Sequence, residues 1–491
     1  MQIHNRPFIG RKKELNQLRL ENWRNKAELI CMYGRRRVGK TALIEEAFRG
    51  CRLLKFEGIE GASKTAQIQN FNLALQSYFP DDSPKAAAQN KWPNQWEQAL
   101  QRLTQLLKKN KIYSEKKVVF FDEFQWMAGE RTELVSIFKK VWDQEFSHIP
   151  HCKFVLCGSV SSFMVKKVIR SKALYGRVDT ELRLEPFSIS EISDFFDNKR
   201  PNHEVFDIAM TLGGIPQYLL ELNPLHSFSQ NLHNQAFSPN GYFYREFGRL
   251  FISHFGKNPI YEKTLSALAL KAASSEELAR QLSIKTGGTF SSILEDLELA
   301  GFVERVTPIN KSPAHAKLVR YRMHDEYLQF YFRFIETKRR EIQNSTVKLG
   351  GYHLQKYFEQ WRGYAFERLC RKNSKYIAEH LGFSGIEYAV GSWFQGKNSK
   401  NSKLAGAQID LLFERSDRVL TVCELKVNAP RDIPKMFAAL QQRVTQLRTA
   451  YEKKMAIQTV FISLEPLSPQ QRTKLCRSFD LVFDAAELFG V

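Results

Sequence analysis

The chain has 491 residues, and its 73 Lys and Arg against 52 Asp and Glu leave a formal charge of +21. Such a length exceeds one ordinary domain and predicts about two to four compact units, each burying its own core. The positive surplus favours nucleic acid or another polyanion as partner, with a merely solubilising basic surface as the alternative. Seven scattered cysteines form no CxxC pair and meet no His at zinc spacing, which excludes a Cys/His zinc site and predicts reduced thiols in a cytoplasmic setting. The start, MQIHNRPFIGRKK, lacks the apolar core of a signal peptide. No apolar run approaches the roughly 20 residues that span a bilayer, so no membrane partner is expected.

LICMYGRRRVGKTALIEEAF, residues 29 to 48, passes from an apolar strand through a Gly-rich loop into a helix. Its loop, Gly34-Arg35-Arg36-Arg37-Val38-Gly39-Lys40-Thr41, fits GxxxxGK[ST] without mismatch. The glycines let backbone N–H groups wrap phosphates, Lys40 suits the outer phosphates, and the Thr41 hydroxyl suits Mg2+. A second strand, KKVVFFDEFQWM, ends in Asp122 and Glu123, a Walker B ending. There Asp122 is expected to hold the magnesium and Glu123 to polarise the attacking water. A third, KFVLCGSVSSFM, finishes in Ser159, Ser161 and Ser162, of which Ser159 is a candidate sensor of the terminal phosphate. In ALYGRVDTELRLEPFS, Arg177 reads either as an arginine finger or as an ordinary surface arginine.

FIGRKKEL, GRRRVGKT, VVFFDEFQ, CGSVSSFM, LYGR, EPFS and GGIPQYL follow one another in this order. Together they resemble the AAA+-type ATPases of the archaeal and bacterial P-loop ATPase family, close to the STAND class, over roughly residues 6 to 250. The resemblance implies ATP and Mg2+ as ligands and a three-layer α/β core with a parallel sheet over residues 1–185. It also implies a helical lid over 186–256 that carries Gly213, Gly214 and Pro216, with nucleotide between core and lid. An aromatic, Phe124, directly after the Asp-Glu pair departs from the family pattern. Arg177 acting in trans would require a homo-oligomer.

Residues 257–325 read as three short helices and a strand pair, spaced like a helix-turn-helix. Ser274 followed by Glu277 is a capping box at the second helix. A strand FVERVTP, a basic loop with Lys311 and Lys317, and LVRYRMHD complete what resembles a winged helix. Its third helix carries Glu295, Asp296 and Glu298, which oppose phosphate, whereas Thr286, Thr289, Ser291 and Ser292 at its start do not. DNA contact and protein docking both remain open for this module. EYLQFYFRFIETKRREIQ, in the linker 326–345, is expected as a dense aromatic helix. Phe330, Tyr331, Phe332 and Phe334 read as packing between domains in preference to a base-stacking platform.

In residues 346–491, a helix GYAFERLCRKNSKYIAEHLGF is followed by a strand EYAVGSWF and the lysine-bearing loop GKNSKNSK. QIDLLFERSDRVLTVCELKV then reads as a hairpin whose turn is ERSDR. A turn near Ser416 and Asp417 sets Asp410 opposite Glu424, and strand alternation puts Glu424 and Lys426 on one face. Charges in such apolar strands are costly unless paired or bound to metal. The set suits Mg2+ or Mn2+ held by carboxylate oxygens, with Lys426 orienting the attacking water and Glu367 completing the ligands. A salt bridge from Lys426 to Asp410 or Glu424 is the structural alternative. The order Glu367, Asp410, Glu424-Leu425-Lys426 resembles the PD-(D/E)XK nuclease superfamily, with Gln441 and Gln442 where many members carry a supporting Gln. That resemblance implies an α/β restriction-endonuclease-like domain. The combined expectation is an ATPase coupled to a metal-dependent nuclease acting on DNA. The alternative is a STAND-like nucleotide-controlled switch whose C-terminal domain binds DNA or protein without cleaving.

Overall fold

The computed structural model describes residues 7–19, 23–80, 93–109, 114–129, 133–255, 258–306, 309, 319–347, 352–395, 407–451 and 454–491. The chain divides into two compact units, Met1–Pro186 with Glu295–Gly301, and Phe187–Leu294 with Phe302–Val491. Lys311, Lys317 and the loop GKNSKNSK lie outside the described residues.

Five strands build the sheet of the first unit: β1 (Glu28–Tyr33), β2 (Arg52–Glu57), β3 (Lys117–Asp122), β4 (Cys152–Gly158) and β5 (Thr180–Arg183). They run parallel in the order β2-β3-β4-β1-β5. Parallel strands covered on both faces become continuous apolar runs, and LICMY, VVFF and FVLC are such runs. Leu29, Cys31, Val119, Phe121, Phe154 and Leu156 point into one buried cluster. Their neighbours Ile30, Met32, Val118, Phe120, Val155 and Cys157 fill a second, which also holds Leu43 and Ile44 of the helix Lys40–Ala47. The first unit is thus an α/β layered core with a parallel sheet.

In the second unit, helices Pro259–Leu270, Ser275–Leu282 and Gly288–Leu294 of a longer helix precede the antiparallel strands β6 (Val303–Val306) and β7 (Arg320–Met323). The Ser274–Glu277 capping box forms as the sequence predicts. The aromatic segment departs from one uniform helix. It runs as an α-turn Glu326–Phe330, a π-helical turn Tyr331–Ile335, a 3-10 turn and a short helix Arg339–Gln343. Bulky rings explain the break: Tyr331 stacks on Phe247 at 4.4 Å while Phe330 and Phe334 pack on Trp361. All four expected aromatics are buried, so they are core.

A second five-stranded sheet follows the long helix Tyr352–Lys372, with β8 (Tyr388–Gln395), β9 (Ala407–Arg415), β10 (Val419–Lys426), β11 (Ala456–Ser463) and β12 (Leu481–Asp484) in the order β12-β11-β10-β9-β8. β8, β9 and β10 are antiparallel; β10, β11 and β12 are parallel. The helix Ile433–Ala450 makes the crossover from β10 to β11, laying Leu440, Val444 and Leu447 over Leu412, Leu420 and Val422. The turn Ser416-Asp417-Arg418 closes the hairpin with Arg418 at φ 65°.

Candidate functional site

The Gly-rich loop leaves β1 and delivers Lys40 and Thr41 into the first turn of the next helix. Gly34 is required by space: a Cβ there would sit 2.4 Å from the Leu184 carbonyl oxygen, and its φ is +154°. Arg11, from FIGR, is buried and ties the loop down, donating to the carbonyls of Glu185 at 2.6 Å and Val38 at 3.1 Å. Lys40 Nζ donates to the carbonyls of Gly34 at 3.0 Å and Arg35 at 3.1 Å, bonds that phosphate oxygens would replace. Arg36 is paired with Glu60 at 3.6 Å, and Arg37 adopts φ 72°.

Thr41 Oγ1 donates to Asp122 Oδ2 at 2.7 Å, joining loop and β3. These two hard oxygens suit a Mg2+ held with nucleotide phosphates. Glu123 follows at φ 50°, turned back across the end of the sheet. Its Oε2 accepts from Ser159 Oγ at 2.7 Å, from the Ser159 amide at 3.2 Å and from Gln125 Nε2. Burial pushes this carboxyl up, but the charge of Lys40 and the bonds from Ser159 and Gln125 outweigh it and hold it below the usual carboxylate range. Glu123 is therefore ionised at neutral pH. An open cavity of about 440 Å³ lies beside it, lined by Arg36, Glu57, Glu60, Asn70, Glu123 and Trp126.

Phe124 is fully buried in the aromatic cluster around Phe121 and Phe138, so its ring is core. Ser161 is buried at the start of the following turn, and Ser162 stands beside it. Arg177 is engaged elsewhere on its own unit. Its guanidinium forks onto Asp143 at 2.6 and 2.9 Å, on the pattern of a surface ion pair. Lys55 carries no motif signal, yet its Nζ stands 3.3 Å from Asp122 Oδ2 and 3.6 Å from Glu57. Gln125 likewise carries no motif signal beyond its position two residues after the Asp-Glu pair.

Gly213, Gly214 and Pro216 lie in the second unit at the turn between helices Asn202–Leu212 and Pro216–Leu220. Gly213, at φ +71°, is backed by the Glu326 carboxylate, which Lys372 holds at 2.8 and 3.0 Å.

The second constellation is on β9 and β10. Their register pairs Cys423 with Leu411, and one further step sets Glu424 beside Asp410. Alternation puts both carboxylates on the face of Leu412 and Val422, under the helix Ile433–Ala450. Glu424 is buried and takes Lys426 Nζ at 2.7 Å and Arg443 Nη2 at 2.9 Å. Asp410 accepts from Gln408 at 2.7 Å. Glu367, from Tyr352–Lys372, is pushed up to about 7, first by burial and then by the charge of Asp410, with Glu424 adding; Arg371 and Lys426 oppose the shift. Glu424 and Lys426 are thus in direct contact and Asp410 stands beside Glu424 in the register, while Glu367 is linked to them through charge.

Their carboxylates do not stand as a ready metal seat. Among the described residues, no three His, Cys, Asp or Glu side chains are grouped to hold a metal ion. The two oxygens of Glu424 are instead taken by Lys426 and Arg443, so the salt bridge from Lys426 to Glu424 that the sequence left as the alternative is formed. Gln441 and Gln442 are exposed, and it is their neighbour Arg443 that reaches the site. A cation one helical step from the expected glutamines was legible only as one basic residue among many.

A parallel sheet, a Gly-rich loop with its Lys and Thr, and an acidic strand end facing that Thr make an α/β P-loop ATPase-like core. Residues 8–222 match the profile of an ATPase domain predominantly from Archaea. The chain is similar to an uncharacterised protein of Methanocaldococcus jannaschii, 24% identical over 443 residues, covering 89% of this chain and 91% of the relative. A 39-residue stretch is 56% identical to an uncharacterised ATP-binding protein of the same organism, covering 8% of this chain and 66% of that one. Among solved structures it is similar to a Walker-type ATPase of Pyrococcus abyssi, with TM-score 0.47, 20% identity and coverage of 67% of this chain and 96% of the other. Among the described residues, no helix is long and apolar enough to cross a membrane.

Proposed function

We propose that this ATPase is coupled to a metal-dependent phosphodiesterase in its C-terminal part, residues 346–491, acting on DNA. The observation that carries the reading is the placement of Asp410, Glu424 and Lys426 on two adjacent strands, with Glu367 of the preceding helix within reach of their charge. The order of a helix, three antiparallel strands, a helix and a parallel strand supports a restriction-endonuclease-like core. Bound Mg2+ or Mn2+ would supply the positive charge that a phosphodiester needs as its transition state develops. The carboxylates would hold that cation and Lys426 would orient the attacking water, while the basic surplus of the chain would draw in the polyanion. At the ATPase site Lys40 would engage the outer phosphates, Thr41 and Asp122 the Mg2+, and Glu123, ionised, would accept the proton of the attacking water with Ser159 holding its carboxylate. An Arg177 finger would need Asp143 to release it.

The test is cleavage of linear and circular DNA with Mg2+ or Mn2+, with and without ATP. Asp410→Ala and Lys426→Ala are expected to abolish cutting while ATPase activity persists, and Lys40→Ala to remove any dependence on ATP. A second reading draws on the ion pairs of Glu424, which leave no open metal seat: a STAND-like nucleotide-controlled switch that binds DNA or protein without cleaving. Retarded DNA in a gel shift with no cutting under any condition would favour it.

A further inference from the structure

Alternation along β2, RLLKFE, puts Lys55 on the same face of the sheet as Leu53 and Glu57. Leu54 and Phe56 point the other way, into the aromatic cluster. β2 is the neighbour of β3, and the register pairs Lys55 with Phe120 and Glu57 with Asp122. The Lys55 side chain thereby runs forward along the sheet, and its Nζ stops 3.3 Å from Oδ2 of Asp122. That is the same oxygen that accepts the Thr41 hydroxyl. A second carboxylate, Glu57, lies 3.6 Å from Nζ and is more exposed.

We propose that Lys55 is the positioning residue that sets divalent-metal affinity at the ATPase site, a resident cation that metal entering with nucleotide must turn away from Asp122. This rests on the reading of Thr41 and Asp122 as the Mg2+ ligands. In the nucleotide-free chain the ammonium neutralises a buried carboxylate that would otherwise be costly. A divalent ion arriving at Asp122 meets like charge a few ångströms away, and Coulomb repulsion at that separation weakens its binding by about tenfold even with water-like screening. Glu57 offers the displaced ammonium its second seat. Free divalent ions are thus disfavoured, and an ion accompanied by phosphate charge is admitted.

The experiment is a Mn2+ titration followed by electron paramagnetic resonance on the full chain bound to a non-hydrolysable ATP analogue. Lys55→Met is expected to bind Mn2+ about tenfold more tightly than wild type, and Lys55→Arg to stay near wild type. Glu57→Gln, which removes the second seat, is expected to weaken Mn2+ binding. A structural role alone would not give opposite signs at neighbouring positions. Lys55→Gln serves the same test should the Met variant not fold. Equal Mn2+ affinity in wild type and the uncharged variant, Lys55→Met or Lys55→Gln, overturns the proposal and leaves the metal-site reading standing. A wild-type complex that binds analogue but no Mn2+ overturns both.

Discussion

Thr41 Oγ1 lies 2.7 Å from Asp122 Oδ2, so residues 81 positions apart in the chain share one hydrogen bond at the end of the parallel sheet. Thr41→Val keeps the shape and removes the hydroxyl. In Mg2+ its affinity for ATP is expected to fall about tenfold, roughly the worth of one hydrogen bond to a charged group. In EDTA the two proteins should bind nucleotide alike. Calorimetric titration under both conditions measures this, and an equal loss in EDTA would place the hydroxyl on the phosphates.

Glu123 owes its charge to Lys40, Ser159 and Gln125 acting against burial. Glu123→Gln is expected to bind ATP as wild type does and to hydrolyse it on the order of 100-fold more slowly, the usual contribution of a positioned general base. Phosphate release against time gives the rate. A variant with unimpaired turnover would remove Glu123 from the chemistry.

Gly213 has both a left-handed backbone and no room for a side chain, since a Cβ would lie 2.4 Å from Glu326 Oε2. The carboxylate has little freedom to retreat because Lys372 holds it through two hydrogen bonds. Gly213→Ala is expected to cost about 2–4 kcal/mol in a urea unfolding curve, the combined effect of backbone strain and a disturbed buried ion pair.

The Glu367 carboxyl titrates near 7 in the folded chain, against 4.5 for its ordinary value. Between these values the folded state holds a proton that the unfolded state has released, so stability falls as pH rises through that window. The penalty is absent below it and complete above it. Glu367→Gln is therefore expected to gain about 1–3 kcal/mol at pH 8 and much less at pH 5. Thermal melts at the two pH values read the difference; an equal gain at both would show that charge is not the cause. A divalent cation that raises the melting temperature of wild type at pH 8, but not of the variant, would point to Glu367 as a ligand.

GRRRVGKT and FFDEF could be read directly because a phosphate-binding loop and an acidic strand end are local arrangements: the residues that shape them are contiguous, and so are the apolar runs on either side. The Ser274 capping box and the Asp410–Glu424 register were legible for the same reason, a capping box spanning four consecutive residues and a short turn determining which residues face each other. The strand order β2-β3-β4-β1-β5 has no such local signal, and it decides the rest. It sets Lys55 beside Asp122 and folds Ser159 over Glu123. Arg177 sits on Asp143 because a fold, and no spacing rule, brings positions 34 residues apart together. On the helix Ile433–Ala450, one residue is a rotation of about 100°, which turns Gln442 outward and Arg443 onto Glu424. Sequence determined which chemistries the chain carries; tertiary packing decided which charges neutralise them, because a buried carboxylate takes whichever cation the fold brings within reach.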